Sequence, residues 1–454
     1  MNSSDQIRPT SSNYRWVVCG LLFFATTFNY LDRQVISFLK EFFCTPQEQG
    51  GFGWSNTDFA YLTSFFTAFY GGMTLGVGWV IDRIGTKLGL ALSLIVWSIF
   101  GIANAFVGRV LAMHLMVRSA FAVGEAGNFP ASIKTVAEWF PKRERALATA
   151  FFNSGSNFGA MVAALFVPWC MIYFGDQKGW KMAFILTGAA GFLWLIFWFW
   201  LYDTPDKQKR LSKAERDYIR IDDEPVAGNV NGDVGKVSWW RLFGYRQAWA
   251  FFSGKFMTDG IWWFYLFWLP DYLIKQFGMT KGQVMMPTFI VYGVAIVGSI
   301  YGGSIPMTLI KKGMPVYKAR MTAMFLIALT PLAVLFTQFF GDVARFGTTM
   351  APVLAVAMIC IGASAHQAWS ANLFTTVSDM FPKKAVGSIT GIGTTAGAIG
   401  GVIVQMLAGR LTDAFKSHPQ TAYLIMFIVC ALSYLTAWVI MKALVPRHKP
   451  ITDL

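Results

Sequence analysis

The motif EWFPKR, at residues 138–143, recurs in the same chain as DMFPKK at residues 379–384. Each copy precedes a run of small residues, NSGSNFGAMVAA at residues 153–164 and GIGTTAGAIGGV at residues 391–402. Small residues of this kind allow two helices to approach closely inside a membrane. The repetition therefore predicts a chain built from two structurally related halves.

Outward from these two motifs, the sequence consists of apolar segments separated by short polar loops. About 20 apolar residues are needed for one helix to cross a bilayer. We predict an all-α membrane protein with twelve transmembrane helices in two pseudo-symmetric six-helix bundles. The bundles are residues 1–202 and 247–454, and a cytoplasmic linker at residues 203–246 joins them. The predicted spans are 15–38, 59–81, 88–107, 109–131, 145–173, 181–202, 247–270, 284–309, 319–340, 347–376, 385–413 and 421–445.

The composition agrees with a membrane protein and excludes several other classes. Of the 454 residues, 55% are hydrophobic and 14% are charged, whereas soluble domains carry about 25% charged residues. The same figures exclude a disordered chain and a disulfide scaffold. The five cysteines include no CxxC pair, so we predict neither a disulfide framework nor a metal site, and we expect no cofactor.

The formal net charge of +14 would suit a nucleic-acid-binding protein if the basic residues formed one patch. Instead, most of the 38 lysines and arginines fall on the side of the membrane that also holds both chain ends. Lys40 is among the few that we place on the opposite side. This distribution is typical of the positive-inside rule. We therefore predict a multi-pass protein with both termini in the cytoplasm and no nucleic-acid partner.

The loop after the second predicted span has the sequence GWVIDRIGTKLG and contains Gly78, Asp82, Arg83, Gly85 and Lys87. The spacing Gly-x3-Asp-Arg-x-Gly-x-Lys resembles the cytoplasmic signature of the major facilitator superfamily. Glycines in such a loop allow a tight turn, and its charges can pair with neighbouring helix ends. The resemblance implies a gating motif, and the alternative is an ordinary basic loop.

In the first half of the chain, four charged residues lie well inside predicted spans. Asp32 and Arg33 are in the first span, and Arg118 and Glu125 are in the fourth. Charges at this depth are costly and usually mark functional sites. Arg118 and Glu125 are seven residues apart, so they share one helix face. The structural alternative is two buried ion pairs, although such pairs add little net stability compared with apolar residues.

These residue types suggest a division of roles. The planar guanidinium of arginine matches a carboxylate bidentately, so Arg33 and Arg118 are candidate ligands for an organic anion. A carboxylate that loses its arginine partner when the anion binds would accept a proton more readily. Asp32 and Glu125 are therefore candidates for proton coupling, and linkage makes proton and anion binding reciprocal.

Five further stretches carry a more specific resemblance. They are NYLDR at 29–33, VRSAFAVGEAGNFPASIKTVAEWFP at 117–141, PKRERALATAFFNSGSNFGA at 141–160, FMTDGIWWFYLFWLPDYL at 256–273 and AHQAWS at 365–370. Together they resemble the anion:cation symporter family, a branch of the major facilitator superfamily that carries sugar acids and other organic anions, and most closely its bacterial hexuronate transporters. The resemblance implies proton-coupled uptake of a hexuronate such as glucuronate or galacturonate, by alternating access, in a bacterial inner membrane.

The resemblance also implies roles for individual residues. Four positions match residues that line the substrate site in that family, and two match residues tied to proton coupling. The first four are Tyr30, Arg33, Tyr70 and Arg118, and the other two are Asp32 and Glu125.

Three more positions follow from the same resemblance. Ser156 and Asn157 stand near the place where aldonate-carrying relatives have a glutamine, which disfavours galactonate as the substrate. We include both among the predicted substrate-binding residues. Thr394 lies where relatives have a polar residue that faces the pocket, so it is included as well.

The second half contributes neutral polar residues in its predicted tenth span. His366, Gln367 and Asn372 lie near the middle of that span, where polar side chains usually face the bundle interior. Their donors and acceptors suit sugar hydroxyls. The alternative for each residue is a hydrogen bond between helices.

The seventh predicted span contains one charged pair and two adjacent tryptophans. Lys255 and Asp259 are spaced i, i+4 and should pair along one helix face, with either a structural or a gating role. Trp262 and Trp263 could stack on a sugar ring. With 18 tryptophans in the chain, packing within the bundle or at the membrane interface is favoured for both.

Other functions are compatible with the same fold. The substrate could be another organic anion, such as an aldonate, glucarate or an aromatic acid, or the protein could be an anion exchanger or an exporter. A membrane sensor or enzyme is disfavoured because the chain has no HExxH, GxSxG or glycine-rich phosphate loop. We expect no catalytic residue, and we expect a monomer whose partners are the anion, protons and the lipid bilayer.

Overall fold

The computed structural model describes residues 13–221, 239–447 and 449–451. Within these residues the chain is almost entirely helical and contains no strand. The α-helices are α1 (Tyr14–Cys44), α2 (Asn56–Ile84), α3 (Thr86–Ala103), α4 (Leu111–Glu125), α5 (Asn128–Trp139), α6 (Lys142–Phe174), α7 (Asp176–Leu201), α8 (Lys213–Ile219), α9 (Trp239–Leu242), α10 (Arg246–Phe277), α11 (Lys281–Lys311), α12 (Val316–Leu329), α13 (Thr337–Phe340), α14 (Val343–Met380), α15 (Lys383–Ala414) and α16 (Pro419–Leu444).

Each of the twelve predicted spans corresponds to one helix or to a broken helix. A turn at residues 126–127 divides the fourth span into α4 and α5, and the ninth span continues from α12 through the 3-10 turn Thr330–Phe336 into α13. Among the described residues, eight helices are long and apolar enough to cross a bilayer. The other spans are α1, α2, α4 and α10, and three of these carry the intramembrane charges.

The predicted linker begins with a helix that is attached to the first bundle. Glu215 of α8 is fully buried. It accepts a hydrogen bond from the backbone N–H of Tyr14 at 3.0 Å and pairs with the guanidinium of Arg15 at 3.0 Å. A carboxylate at this position satisfies unpaired N–H groups at the start of α1. Residues 222–238 of the predicted linker lie outside the described residues.

The repeated motif has the same structural role in both halves. Pro141 precedes α6, and Pro382 precedes α15, with φ near −61° and −62° and extended ψ angles in both cases. Proline tolerates this position because it lacks only an N–H group that a helix start leaves unpaired. Each copy therefore ends one helix and starts the next.

The small residues after each motif are equivalent as well. A side chain at Gly159 of α6 would collide with the backbone of α1 at Thr27. A side chain at Gly400 of α15 would collide with the backbone of α10 at Phe256. Each glycine thus lets its helix lie directly against the first helix of its own half. The sequence repeat corresponds to two pseudo-symmetric six-helix bundles.

The bundles meet along three helix pairs, α1 with α10, α2 with α15 and α6 with α11. We call the side on which α1 begins and α16 ends the terminal face. Gly71 of α2 lies directly against Ala398 of α15, whereas a side chain added at Gly78 would meet no atom of the described residues within 4 Å. Gly78 is two turns from Gly71 on the same helix face. Toward the terminal face, the described residues therefore leave room beside α2 at Gly78.

Polar contacts between the bundles close the opposite face. Lys40 of α1 forms an ion pair with Asp271 of α10, with Nζ 2.7 Å from Oδ2, and both side chains are buried. Asp413 of α15 accepts a hydrogen bond from the backbone N–H of Thr57 at the start of α2, at 2.7 Å. These contacts close the space between the bundles at the opposite face, whereas the described residues leave room beside Gly78 near the terminal face.

Candidate functional site

The charged centre of the molecule lies where α1 meets α4. Arg33, Arg118 and Glu125 are each only 1% exposed. Nε of Arg33 lies 2.9 Å from Oε2 of Glu125, and Nη2 of Arg118 donates to the backbone carbonyl of Arg33 at 2.8 Å. Glu125 thus forms its ion pair with a different helix, although it shares a face of α4 with Arg118.

Aromatic rings surround the guanidinium of Arg33. The ring centres of Tyr30 and Tyr70 lie 4.4 and 4.5 Å from its central carbon. The rings of Phe66 and Trp263 each lie 5.3 Å away. We call these four rings the aromatic cage. Cation–π contacts stabilise a buried guanidinium while leaving N–H groups available for hydrogen bonds. Trp263 belongs to α10, so the cage includes residues of both bundles.

Some buried polar atoms at this centre have no hydrogen-bond partner among the described residues. They include Nη1 of Arg118, Oε1 of Glu125 and the side-chain nitrogen of Asn29. Buried polar groups are normally satisfied, so donors and an acceptor without partners at one place call for an explanation. An N–H group of arginine that points into such a site suits a carboxylate oxygen.

Asp32 occupies a different environment from its neighbour Arg33. The side chain is 2% exposed, and neither carboxylate oxygen has a hydrogen-bond partner among the described residues. Thr187 of α7 and Trp97 of α3 lie near it, and Glu125 and Arg118 are close enough to act on it electrostatically. Of the two carboxylates predicted to couple protons, only Glu125 forms an ion pair with an arginine among the described residues.

The second bundle contributes one ion pair and one aromatic stack. Nζ of Lys255 lies 2.6 Å from Oδ2 of Asp259, as the i, i+4 spacing predicts. The ring of His366 stacks on Trp262 with centroids 5.1 Å apart and planes 6° from parallel. Nδ1 of His366 also shares a hydrogen bond of 2.8 Å with the hydroxyl of Tyr434. These interactions join α10, α14 and α16.

The remaining predicted substrate-binding residues make local contacts. Asn372 donates to the backbone carbonyl of Gly302 in α11 at 2.6 Å, which is the interhelical alternative. The hydroxyl of Ser156 donates to a carbonyl one turn earlier in α6, and that of Thr394 does the same in α15. Asn157 is buried, and its Oδ1 has no hydrogen-bond partner among the described residues; Gln367 is half-buried. None of the contacts named here involves Arg33.

Three residues at the centre were not predicted to belong to it. Phe66 and Trp263 complete the aromatic cage, and Gln405 of α15 supports it. The side chain of Gln405 donates to the backbone carbonyl of Trp263 at 3.2 Å and accepts from Trp268 at 2.6 Å. Phe66 is one turn from Tyr70 on α2, and this spacing could have identified it. Gln405, a lone glutamine in an apolar span, was a second available signal.

The predicted gating motif forms the turn between α2 and α3. Gly85 has φ of +82°, a conformation that favours glycine, and Arg83 lies 3.6 Å from the ring centre of Trp79. Lys87 pairs with Asp203, just beyond α7, at 3.0 Å. Burial raises the pKa of Asp203, but the hydrogen bond and charge of Lys87 outweigh it and hold that pKa below its ordinary value. The side chain of Asp82 lies outside the described residues.

Comparisons with known proteins agree with this architecture. The family model described as the Major Facilitator Superfamily matches residues 22–405. The chain is 28% identical over 428 residues to the hexuronate transporter of Escherichia coli (strain K12), with 94% of both chains covered. It is 33% identical over 297 residues to the galacturonate transporter of Dickeya chrysanthemi, which covers 64% of this chain and 81% of that relative.

A solved structure has the same fold. A bacterial homolog of the human lysosomal transporter Spinster, in an inward-facing and unoccupied conformation, superposes with a TM-score of 0.75 at 17% sequence identity. The match covers 97% of this chain and 100% of that one. The likeness confirms the predicted arrangement of twelve helices in two bundles.

Proposed function

We propose a specific substrate and a coupling ion for this chain, which belongs to the Major Facilitator Superfamily. The protein is a multi-pass membrane transporter and not an enzyme. In our proposal it takes up a hexuronate, such as glucuronate or galacturonate, together with protons. The similarity to transporters named for hexuronate and galacturonate supports this choice of substrate class.

The observation that carries the proposal is the buried cluster of Arg33, Arg118 and Glu125 inside the aromatic cage. An organic anion needs N–H donors that are shielded from water, and the unpaired Nη1 of Arg118 supplies one. Arg33 supplies more once Glu125 releases it. A bidentate arginine contact fixes the orientation of a carboxylate as well as its position.

Proton coupling follows from competition for Arg33. In the described conformation, the carboxylate of Glu125 is held by Nε of Arg33. A substrate carboxylate that takes over this guanidinium leaves Glu125 buried without a cation. A buried carboxylate without a partner is favoured in its protonated form, so anion binding and proton binding promote each other. One proton that moves with one monoanion transfers no net charge.

The sugar ring would lie between the bundles. Tyr30 and Tyr70 flank Arg33 from the first bundle, and their hydroxyl groups can donate to and accept from sugar hydroxyls. His366 and Trp262 lie on the second bundle, where they offer a ring nitrogen and an aromatic face. We assign Asp32 a second proton-binding role, because neither of its carboxylate oxygens has a hydrogen-bond partner among the described residues.

Alternating access requires the closed face to open. We propose that the terminal face is cytoplasmic, in agreement with the distribution of basic residues, so the described conformation is open to the cytoplasm. An outward-open state would break the Lys40–Asp271 ion pair and the contact of Asp413 with the start of α2. It would close the space between α2 and α15 next to Gly78.

The proposal is tested by uptake into liposomes that contain the purified protein. Labelled glucuronate and galacturonate are supplied with an inward proton gradient in the absence of sodium, and then with a sodium gradient at equal pH on both sides. We expect accumulation with the proton gradient alone. Empty liposomes and a protonophore serve as controls for leak and for coupling.

Two outcomes would contradict parts of the proposal separately. Accumulation only with the sodium gradient would be compatible with the proposed anion site, but it would refute protons as the coupling ion. A second outcome is that neither uronate is taken up while an aldonate or an aromatic acid is accumulated. This outcome would be compatible with the proposed coupling mechanism, but it would refute hexuronates as the substrate class.

A further inference from the structure

We propose that the Lys255–Asp259 pair reads the end of the substrate that is remote from its carboxylate and selects sugar acids with one carboxylate over those with two. The inference rests on the proposed function, since it assumes that Arg33 and Arg118 hold the first carboxylate. It assigns a specificity-determining role to a pair on α10 that lies on the bundle facing the arginines.

The position of the pair places it near the far end of the substrate. Asp259 is one helical turn from Trp263, which contacts Arg33 in the aromatic cage. That turn adds about 6 Å along α10, so the pair lies beyond the cage by roughly the length of a sugar ring. Asp259 is also close enough to the Tyr30 hydroxyl of the first bundle to act on it electrostatically.

The surroundings of Asp259 leave it accessible from the space between the bundles. Its side chain is 19% exposed, against 8% for Lys255. It packs over Gly397 of α15, where any side chain would collide with the carboxylate. The ammonium of Lys255 is held by Asp259 on one side and lies 4.7 Å from the ring centre of Phe374 on another. The carboxylate is therefore the more accessible of the two charges.

This arrangement distinguishes a hydroxyl from a carboxylate. The remote end of a hexuronate is a hydroxyl group, which can donate a hydrogen bond to Asp259. The remote end of an aldarate, such as glucarate or galactarate, is a second carboxylate, which Asp259 repels. Rejection by a like charge is a common device for specificity. Lys255 cannot offset the repulsion of the second carboxylate while its ammonium group is paired with Asp259.

Neutralising Asp259 should reverse this preference. In Asp259→Asn, Lys255 loses its anionic partner and becomes available to a second carboxylate. A pair that served only to stabilise α10 would behave differently, because its loss would lower the affinity for all substrates alike. The ratio of affinities for an aldarate and a uronate therefore separates the two roles, and a change in stability alone does not affect it.

The experiment measures the dissociation constants of glucuronate and glucarate for the purified protein by titration calorimetry at fixed ionic strength. In the wild-type protein, we expect glucuronate to bind at least tenfold more tightly than glucarate. In Asp259→Asn, the affinity for glucarate relative to that for glucuronate should increase by tenfold or more. In Lys255→Met, which keeps the negative charge without its partner, the ratio should move further toward glucuronate.

Asp379→Asn is the matched control. Asp379 also forms an ion pair in the second bundle, with Arg320, but at the end of α14 near the terminal face. Its substitution should leave the ratio unchanged. If Asp259→Asn does not fold, as judged by thermal unfolding, Asp259→Ser provides the same test.

An equal loss of affinity for both acids in Asp259→Asn would overturn the inference while leaving the proposed function intact. Wild-type protein that binds glucarate as tightly as glucuronate would overturn it too. Failure of the wild type to bind glucuronate at all would refute the proposed function together with this inference.

Discussion

The two bundles share a backbone plan but differ in chemistry at the centre of the molecule. The first bundle supplies Asp32, Arg33, Arg118 and Glu125, all buried. The second supplies aromatic rings and the Lys255–Asp259 ion pair, which is formed within one helix. Equivalent glycines, by contrast, pack equivalent helices in both halves. Duplication has thus preserved the packing positions, while the charges that would bind an anion and a proton are concentrated in one copy.

At the repeated motif, in contrast to the centre of the molecule, the ion pair lies in the second half. Glu138, in the first copy, accepts a hydrogen bond from the hydroxyl of Thr86 at 2.9 Å and another from Tyr202. Asp379, at the equivalent position of the second copy, forms an ion pair with Arg320. The same backbone junction is therefore supported by neutral hydroxyls in one half and by an ion pair in the other. Equivalence of position does not imply equivalence of charge.

The largest expected effect is the loss of an arginine from the first bundle. Arg118→Ala should lower hexuronate uptake by about 100-fold, because the hydrogen bonds lost are to a charged group and are worth roughly 1.5–3 kcal/mol each. Initial uptake rates measure this effect. Arg118→Lys keeps the charge but lacks the planar fork, so it should recover only part of the activity. Full activity in Arg118→Ala would contradict the anion site.

The next effect concerns the contact between the two bundles. Lys40→Met leaves Asp271 without its closest cation, and breaking a buried pair costs about 3–5 kcal/mol. Nζ of Lys275 also lies 3.2 Å from Oδ2 of Asp271. The loss of stability should therefore be near the lower limit of this range. Thermal unfolding in detergent measures it. The double variant Lys40→Met/Asp271→Asn should regain most of the stability, and equal instability of the single and double variants would contradict the pairing.

A smaller effect is expected from the neutral groups of the second bundle. His366→Asn removes the stack on Trp262, and one hydrogen bond contributes about 0.5–1.5 kcal/mol. We expect KM for the hexuronate to rise by roughly twofold to tenfold without a change in proton coupling. Uptake kinetics with and without a proton gradient measure both quantities. Loss of coupling in this variant would show that the second bundle takes part in proton transfer.

The smallest effects are expected at the terminal face, where Lys87→Met and Arg320→Met test the two halves in parallel. Both pairs are partly exposed, so each should contribute at most about 1 kcal/mol. Since the folded-state pKa of Asp203 is lowered, the contribution of Lys87 is complete above the ordinary pKa of aspartate and is lost as pH falls through the lowered value. Thermal unfolding at neutral and acidic pH should therefore show that the difference in stability between wild type and Lys87→Met becomes smaller in acid. A difference between Lys87→Met and wild type that grows in acid would contradict it.

The sequence predicted the helices and the duplication well because both depend on local patterns. Apolar length, proline position and small-residue runs act within one segment, and each of the twelve spans was located from them. The pairing of charges was less predictable. Periodicity placed Arg118 and Glu125 on one face of α4 but could not show that Arg33 of α1 lies opposite that face.

Two further features depend on contacts between distant segments. Lys40 was assigned to the opposite side as an ordinary basic residue, yet it is buried in an inter-bundle ion pair. Hydropathy indicates the depth of a residue in the membrane, and it does not identify the partner on another helix. Trp263 was assigned to packing because tryptophans are abundant in this chain. Only the packing of α10 against α1 and α2 places its ring beside Arg33.

In our proposal, the first bundle carries both the anion site and the coupling proton site. Glu125→Gln tests it most directly, because glutamine keeps the size of the side chain but cannot bind a proton. The variant is compared with wild-type protein and with Asp379→Asn in liposomes, by proton-driven accumulation of labelled glucuronate and by exchange at equal pH. We predict that Glu125→Gln retains exchange but reaches no accumulation, whereas Asp379→Asn accumulates the sugar acid. Normal accumulation by Glu125→Gln would contradict the account.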